Sequence, residues 1–105
     1  MANRPAPDAV QTMAELRTCI DEIDEALLVL LAERQSYTDR APELKAREGI
    51  AAAAPSRVRQ VLDHVRARAE AAGMDADLAE SMWRIMIETV IAREERVIGK
   101  EGKDG

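Results

Sequence analysis

Residues 13–44 read MAELRTCIDEIDEALLVLLAERQSYTDRAPEL. Its apolar residues recur in steps of three and four, which is the spacing of one face of an α-helix. This stripe consists of Met13, Leu16, Ile20, Ile23, Leu27, Leu30, Tyr37, Ala41 and Leu44. A helix of roughly 30 residues is longer than is usual in a globular domain. The pattern therefore predicts one long helix that packs along a partner chain.

Pro42 lies inside this helical pattern. A proline in a helix interior removes one backbone hydrogen bond, and its ring crowds the preceding turn, at a cost of roughly 3 kcal/mol. Because Leu44 continues the apolar stripe beyond the proline, we expect a kink and not a restart. The helix is predicted to end near Glu48 and Gly49.

Two shorter helices are predicted after the long one. Pro55 is suited to the first position of helix two, Gly73 to its left-handed cap, and Asp75 to the N-cap of helix three. The sequence therefore predicts an all-α domain over residues 10–99, with a flexible lead over residues 1–9 and a flexible tail over residues 100–105. The apolar stripes of the two shorter helices are Val58, Val61, Leu62, Val65 and Ala69, and Leu78, Met82, Trp83, Met86, Ile87, Val90, Ile91 and Val97.

The composition excludes several classes of protein. A chain of 105 residues forms one domain with a small core, so oligomerisation is expected. A net charge of −5 with scattered cations argues against nucleic-acid binding, and no apolar run is long enough to span a membrane. The single Cys19 excludes an internal disulfide framework, and the polar start lacks the apolar core of a signal peptide. These features favour a reduced, cytoplasmic setting.

Arg34 is a charged residue at a position of the long helix that the spacing reserves for apolar residues. A guanidinium group without a partner would be costly to bury, so Arg34 requires an anion or access to water. The anion could be a carboxylate across an interface, and the side chain could instead extend to the surface. We interpret Arg34 as part of an anion-binding active site, although the pattern alone leaves these alternatives open.

Helical geometry relates Lys45 and Arg17 to Arg34. Lys45 follows by eleven residues, so it would share the face of Arg34 at roughly 16 Å along the axis, and the two side chains could hold one small anion. Arg17 precedes Arg34 by seventeen residues, or about 25 Å, so only an antiparallel partner helix could bring a second Arg17 to the same site. The alternatives are a solvated Lys45 and an Arg17 that pairs with Asp21.

Two further charged residues are candidates on the shorter helices. Arg57 lies in the first turn of helix two, where a cation is disfavoured unless it meets an anion. Glu94 lies at the edge of the apolar stripe of helix three, where desolvation would keep its carboxyl group protonated; the alternative is a surface glutamate in the charged run 93–96. His64 has no second ligand at metal-binding spacing. Without a nucleophile and base or a phosphate loop, catalysis would rely on positioning and charge.

Several short strings, taken in order, resemble the helical chorismate mutases over about residues 13–98. They are Leu16-Arg17, Ile23-Asp24, Leu30-Leu31-Ala32-Glu33-Arg34, Leu44-Lys45, an arginine that opens helix two, and Met74-Asp75-Ala76. The order and spacing of Arg17, Arg34, Lys45 and Arg57 carry the resemblance. It implies an intertwined antiparallel homodimer, in which each of two active sites borrows an arginine from the other chain.

The resemblance also implies a Claisen rearrangement of chorismate to prephenate, in the shikimate pathway to aromatic amino acids, without cofactor, metal or covalent intermediate. By this resemblance Arg34 and the partner's Arg17 bind the two substrate carboxylates. Lys45 donates to the ether oxygen, and Arg57 adds positive potential. Glu94 stands where relatives often have glutamine, and it would donate to the same oxygen when protonated. Restricting the conformer and aiming donors in advance would lower the barrier.

Two departures from the family pattern concern the ring hydroxyl of the substrate. In many mutases an acidic residue follows the helix-two arginine and binds this hydroxyl, whereas this chain has Val58; Ala54 stands where an aspartate is often found. Residues 53–58, AAPSRV, are also similar to isochorismate pyruvate-lyases, a sister group that makes salicylate and pyruvate. A 4-amino-4-deoxychorismate mutase is a third possibility. A non-catalytic helical dimer or regulatory subunit is the alternative from another class.

Overall fold

The fold was analysed in a computed structural model that describes residues 4–105. After a short 3-10 helix over Pro7–Ala9, three α-helices follow, α1 over Met13–Glu48, α2 over Pro55–Ala72 and α3 over Ala76–Ile98. The described residues contain no β-strand. The predicted all-α class with three helices is therefore confirmed. Residues 1–3 of the predicted lead lie outside the described residues, and the flexibility of the lead stays a prediction.

Helix α1 continues through Pro42 and ends at Glu48, and Gly49 follows in the left-handed region at a φ of 72°. The helix therefore does not restart at the proline, and its predicted end is confirmed. Whether it kinks there stays a prediction. Within α1 the chain divides into two compact units, one that ends at Tyr37 and one that begins at Thr38.

In the first unit, α1 leaves most of its predicted apolar stripe exposed. The exposed fraction is 42% at Ile23 and reaches 75% at Tyr37. Leu28, Val29 and Leu30 are also exposed, so apolar side chains are exposed around much of the helix. A contiguous apolar surface of this kind marks a contact with another protein or a membrane more often than a free surface.

In the second unit, α2 and α3 pack against each other across a tight connection. Gly73 ends α2 in the left-handed conformation, at a φ of 77°, and its N–H donates to two carbonyls of the last turn. The Asp75 carboxylate then accepts from the backbone N–H groups of Asp77 and Leu78, at 3.0 and 3.2 Å. Both predicted caps are confirmed, and together they set where α2 stops and α3 starts.

An ion-pair cluster also joins α2 to α3. The Arg66 guanidinium donates to Asp77 at 2.9 Å and to Glu80 at 3.1 Å, while Arg84 binds the other carboxylate oxygen of Glu80 at 2.9 Å. Hydrogen bonds from Arg84 and Arg66 lower the pKa of Glu80.

Leu62, Ala69 and Ala79 are buried in the same unit.

The predicted flexible tail, residues 100–105, forms hydrogen bonds with the α1–α2 loop and the start of α2. An isolated parallel bridge joins Lys103 to Ile50, in the loop between α1 and α2. Asp104 accepts hydrogen bonds from Ser56, at the start of α2. The tail is therefore attached to the second unit, although its mobility stays untested. None of the helices that the described residues form is long and apolar enough to cross a membrane.

Candidate active site

The ammonium group of Lys45 connects α1, α3 and the loop between α1 and α2. Its Nζ donates to Glu94 Oε1 at 2.8 Å and to the carbonyl oxygen of Ala52 at 2.9 Å. An ammonium group has three donors, so these two bonds leave one donor for a ligand. The Lys45 side chain remains 23% exposed, so solvent reaches part of it.

Glu94 is buried, with an exposed fraction of 3%. The alternative interpretation, a surface glutamate in a charged run, is therefore wrong. Glu94 is one of the buried residues of α3. A buried carboxylate requires a compensating charge, and the Lys45 ammonium group supplies it. The structure thus brings together two of the predicted site residues that are 49 residues apart in the sequence. The predicted protonation of Glu94 stays a prediction.

Three small residues of the loop that contacts Lys45 are buried. Ala51, Ala52 and Ala54 are all buried, with Ala52 at 1% exposed. Side chains of one carbon let the loop backbone pack closely, so the Ala52 carbonyl reaches the ammonium group. This contact was not among the predicted features of the site. The alanine run over residues 51–54 was the available signal, since small residues favour close approach of the backbone.

Arg57 and Val58 lie in the first turn of α2, as predicted. Arg57 is exposed and donates to Gln60 Oε1 at 2.6 Å, whereas Val58 is half-buried. No hydrogen bond or ion pair joins Arg57 to Lys45 or Glu94 within residues 38–105. Arg57 instead lines a cavity of about 380 Å³ between α2 and α3, together with Val61, Val65, Ala69, Ala79 and Trp83.

A second cavity, of about 330 Å³, reaches Glu94. Arg93 and Arg96 contribute cationic side chains to its lining, and Val90 and Val97 contribute apolar ones. Arg93 donates to Asp39 of α1 at 2.9 Å, so one of the two cations already has a carboxylate partner. In the sequence these arginines belong to the charged run 93–96, which gives no sign that they line a cavity with Glu94.

The other two predicted cations, Arg17 and Arg34, lie in the first unit on α1. Arg34 is half-buried and Arg17 is exposed. Within residues 4–37 neither guanidinium forms an ion pair, so the alternative in which Arg17 pairs with Asp21 is not observed. In the part of the chain that the structure describes, no cluster of three or more His, Cys, Asp or Glu side chains could hold a metal ion.

Fold and site together define a small helical protein with a buried lysine–glutamate pair. The family model described as chorismate mutase type II matches residues 16–95, and this chain belongs to that family. A chorismate mutase of Methanocaldococcus jannaschii is 33% identical over 79 residues, which cover 75% of this chain and 80% of that protein.

Two other relatives have different names. An isochorismate pyruvate lyase of Pseudomonas aeruginosa is 33% identical over 88 residues, which cover 84% of this chain and 86% of the lyase. A T-protein of Enterobacter agglomerans is 39% identical over 75 residues, which cover 71% of this chain but 20% of the T-protein. The predicted membership of the helical chorismate mutase family is confirmed, and the lyase is a relative of similar identity.

Proposed function

We propose that this protein is a chorismate mutase, which converts chorismate to prephenate by electrostatic preorganisation without covalent catalysis. The observation that carries the proposal is the Lys45 ammonium group, held by Glu94 and Ala52 with one donor remaining. Lys45 and Glu94 both lie within the residues that the family model matches. The relative named chorismate mutase supports the same reaction.

Lys45 is the residue that we assign to the reacting bond. In the rearrangement one C–O bond of the ether breaks while a C–C bond forms, and no proton or group is transferred to the protein. Negative charge develops on the ether oxygen, and the remaining N–H of Lys45 donates to it. Because Glu94 and Ala52 fix the ammonium group beforehand, the donor does not have to reorganise during the reaction, which is the condition for a large electrostatic effect.

Arg34 and the partner's Arg17 are assigned to the two carboxylates of the substrate. We propose an intertwined homodimer in which the α1 helices run antiparallel, so that each site contains one arginine from each chain. Two observations support this: the exposed apolar surface of α1 and the lack of an ion pair for either arginine within residues 4–37. Two guanidinium groups can each bind a carboxylate through two hydrogen bonds and so hold the substrate in its folded conformer.

Arg57 and Glu94 complete the proposed site. Arg57, in the first turn of α2, adds positive potential to the partial charge of the helix N-terminus. Glu94 serves as a second donor to the ether oxygen in its protonated form, while in the free chain its carboxyl group accepts from Lys45. Val58 occupies the position next to Arg57 and makes the surroundings of the substrate ring apolar on that side of the turn.

Isochorismate pyruvate-lyase activity is the second candidate. It is favoured by the lyase from Pseudomonas aeruginosa, whose match covers a larger share of both chains than that of the chorismate mutase. The proposed dianion-binding residues would suit isochorismate equally well.

The free thiol of Cys19 is consistent with the reduced cytoplasmic setting that we also propose.

Incubation with chorismate, isochorismate and 4-amino-4-deoxychorismate, with products identified by NMR, tests the proposal. Prephenate from chorismate is the expected product. Salicylate and pyruvate from isochorismate, without prephenate, would replace the proposal by the lyase, and conversion of the amino compound alone would replace it by the third activity. No conversion of any of the three would favour a non-catalytic helical dimer.

A further inference from the structure

Residues 99–105, here called the strap, lie against the loop between α1 and α2, residues 49–54, here called the site loop. The Lys103 N–H donates to the carbonyl of Gly49, and the Ala51 N–H donates to the carbonyl of Lys103, both at 2.8 Å. Besides its bonds to the adjoining ends of α1 and α2, such as the one from the Ile50 N–H to the Lys45 carbonyl at 2.8 Å, the site loop has two attachments. One is the strap, and the other is the Lys45 ammonium group, through the carbonyl of Ala52.

Asp104 supplies the cap that α2 lacks. Ala54 is the N-cap residue, and its side chain makes no capping hydrogen bond. Asp104 Oδ1 instead accepts from the Ser56 backbone N–H at 3.0 Å and from its hydroxyl at 2.8 Å. These two bonds, with a smaller effect from nearby Arg59, lower the pKa of Asp104, so the group is a carboxylate at neutral pH. Asp104 therefore accepts a hydrogen bond from a backbone N–H in the first turn of α2, which is the role of an N-cap side chain.

Gly102 allows the strap to approach the site loop closely. Its φ of 139° is one that side-chain-bearing residues rarely adopt, and an added Cβ would overlap the backbone of Ala51 and lie 2.7 Å from the carbonyl carbon of Ile50. At Gly105 an added Cβ would make an ordinary contact, 3.6 Å from Ile50 Cγ1. A single methyl group at position 102 would therefore displace the strap, whereas the same group at position 105 would not.

We propose that the strap holds the site loop and the first turn of α2 in the conformation that binds substrate, with Asp104 as a positioning residue. This proposal rests on the proposed function, because it concerns Lys45 and Arg57 as residues that bind the substrate. Arg57 directly follows Ser56, so the cap from Asp104 fixes the turn that carries Arg57. Ala52 links the same loop to Lys45.

The proposal predicts which kinetic constant changes when the strap detaches. A protein whose binding-competent form is only partly populated binds its ligand more weakly by that fraction, and saturating ligand restores the full population. Detachment therefore raises KM and leaves kcat nearly unchanged. A general loss of folded protein would do the opposite, since it would lower the apparent kcat at constant KM.

Steady-state kinetics with chorismate on four variants tests this. Asp104→Ala and Gly102→Ala should raise KM by at most about tenfold, the factor that corresponds to one helix cap. Asp104→Asn should restore the wild-type KM, because its amide oxygen can accept both bonds from Ser56. Gly105→Ala is the matched control for Gly102→Ala and should keep the wild-type KM.

Amide hydrogen exchange at Ala51 and Lys103 provides a measurement that does not depend on activity. Both amides should be protected from exchange in the wild type and in Asp104→Asn. In Asp104→Ala both should exchange rapidly. Three results would each contradict the proposed role of the strap. They are unprotected amides in the wild type, a wild-type KM in both Asp104→Ala and Gly102→Ala, and a lower kcat at unchanged KM in these variants. A wild type that fails to convert chorismate would contradict the proposed function alone, and the exchange data would then decide on the strap.

Discussion

Replacing Lys45 by methionine tests the proposed site at its centre. Methionine keeps much of the side-chain volume but has no donor, so Glu94, which is 3% exposed, would lose its cation. Removing one partner of a buried ion pair costs about 3–5 kcal/mol. Because the Lys45 side chain is 23% exposed, water can reach the pair, and we expect the lower end, about 3 kcal/mol in the free energy of unfolding.

The same substitution should also lower kcat by about 10²–10³-fold, the usual effect of losing one preorganised donor to a developing oxyanion. Conversion of chorismate at saturating concentration measures this effect. Urea unfolding measures the stability, and all variants must be compared at one protein concentration, because the stability of the proposed dimer would depend on concentration.

A second substitution separates the two effects. In Lys45→Met/Glu94→Gln no charge remains buried, so the stability should largely return while kcat stays low. Arg47→Met is the control on the same helix: its pair with Glu43, at 3.5 Å, is exposed, and its loss should change the unfolding free energy by less than about 1 kcal/mol. Recovery of kcat together with stability in the double variant would refute a catalytic role for Lys45.

Three further predictions concern other parts of the protein. Glu94→Ala should lower kcat, because the Lys45 ammonium group loses the side-chain acceptor that fixes it; an unchanged kcat in this variant contradicts the positioning of Lys45 by Glu94. Arg17→Ala and Arg34→Ala chains, each inactive, should regain about a quarter of the wild-type activity when mixed and refolded, because half of the dimers would be mixed and each would hold one intact site; no recovery argues against a shared site. Asp75→Ala should reduce the free energy of unfolding by about 1 kcal/mol, since two N–H groups of α3 lose their acceptor; equal urea midpoints would show that the cap does not stabilise α3.

The helix boundaries could be predicted from the sequence because the residues that set them act locally. Pro55 starts α2, Gly73 ends it and Asp75 caps α3, each through bonds or steric limits within a few residues. The long helix could be predicted for the same reason, since its apolar spacing repeats over consecutive turns. Pro42 did not end it, because one missing hydrogen bond was outweighed by the remainder of the helix.

The site could be predicted only in part, because its contacts join distant segments. Lys45 and Glu94 were selected on their positions in helical stripes and on family resemblance, but their direct pairing depends on how α1 and α3 pack. Only the alanine run over residues 51–54 points to the Ala52 carbonyl in the sequence, since every residue has a carbonyl group. Asp104 was assigned to a flexible tail, because a short polar segment with glycines has no local reason to be ordered.

The attachment of Asp104 to Ser56 has a consequence for the order of folding. The two residues are 48 positions apart in the chain, and closing a loop of that length loses chain entropy before any bond offsets the loss. Helices form within roughly a microsecond from contacts between near neighbours. We therefore expect a refolding chain to complete its helices and the α2–α3 contact first, and to close the last loop later. A newly made molecule would then be helical before it could bind its substrate well.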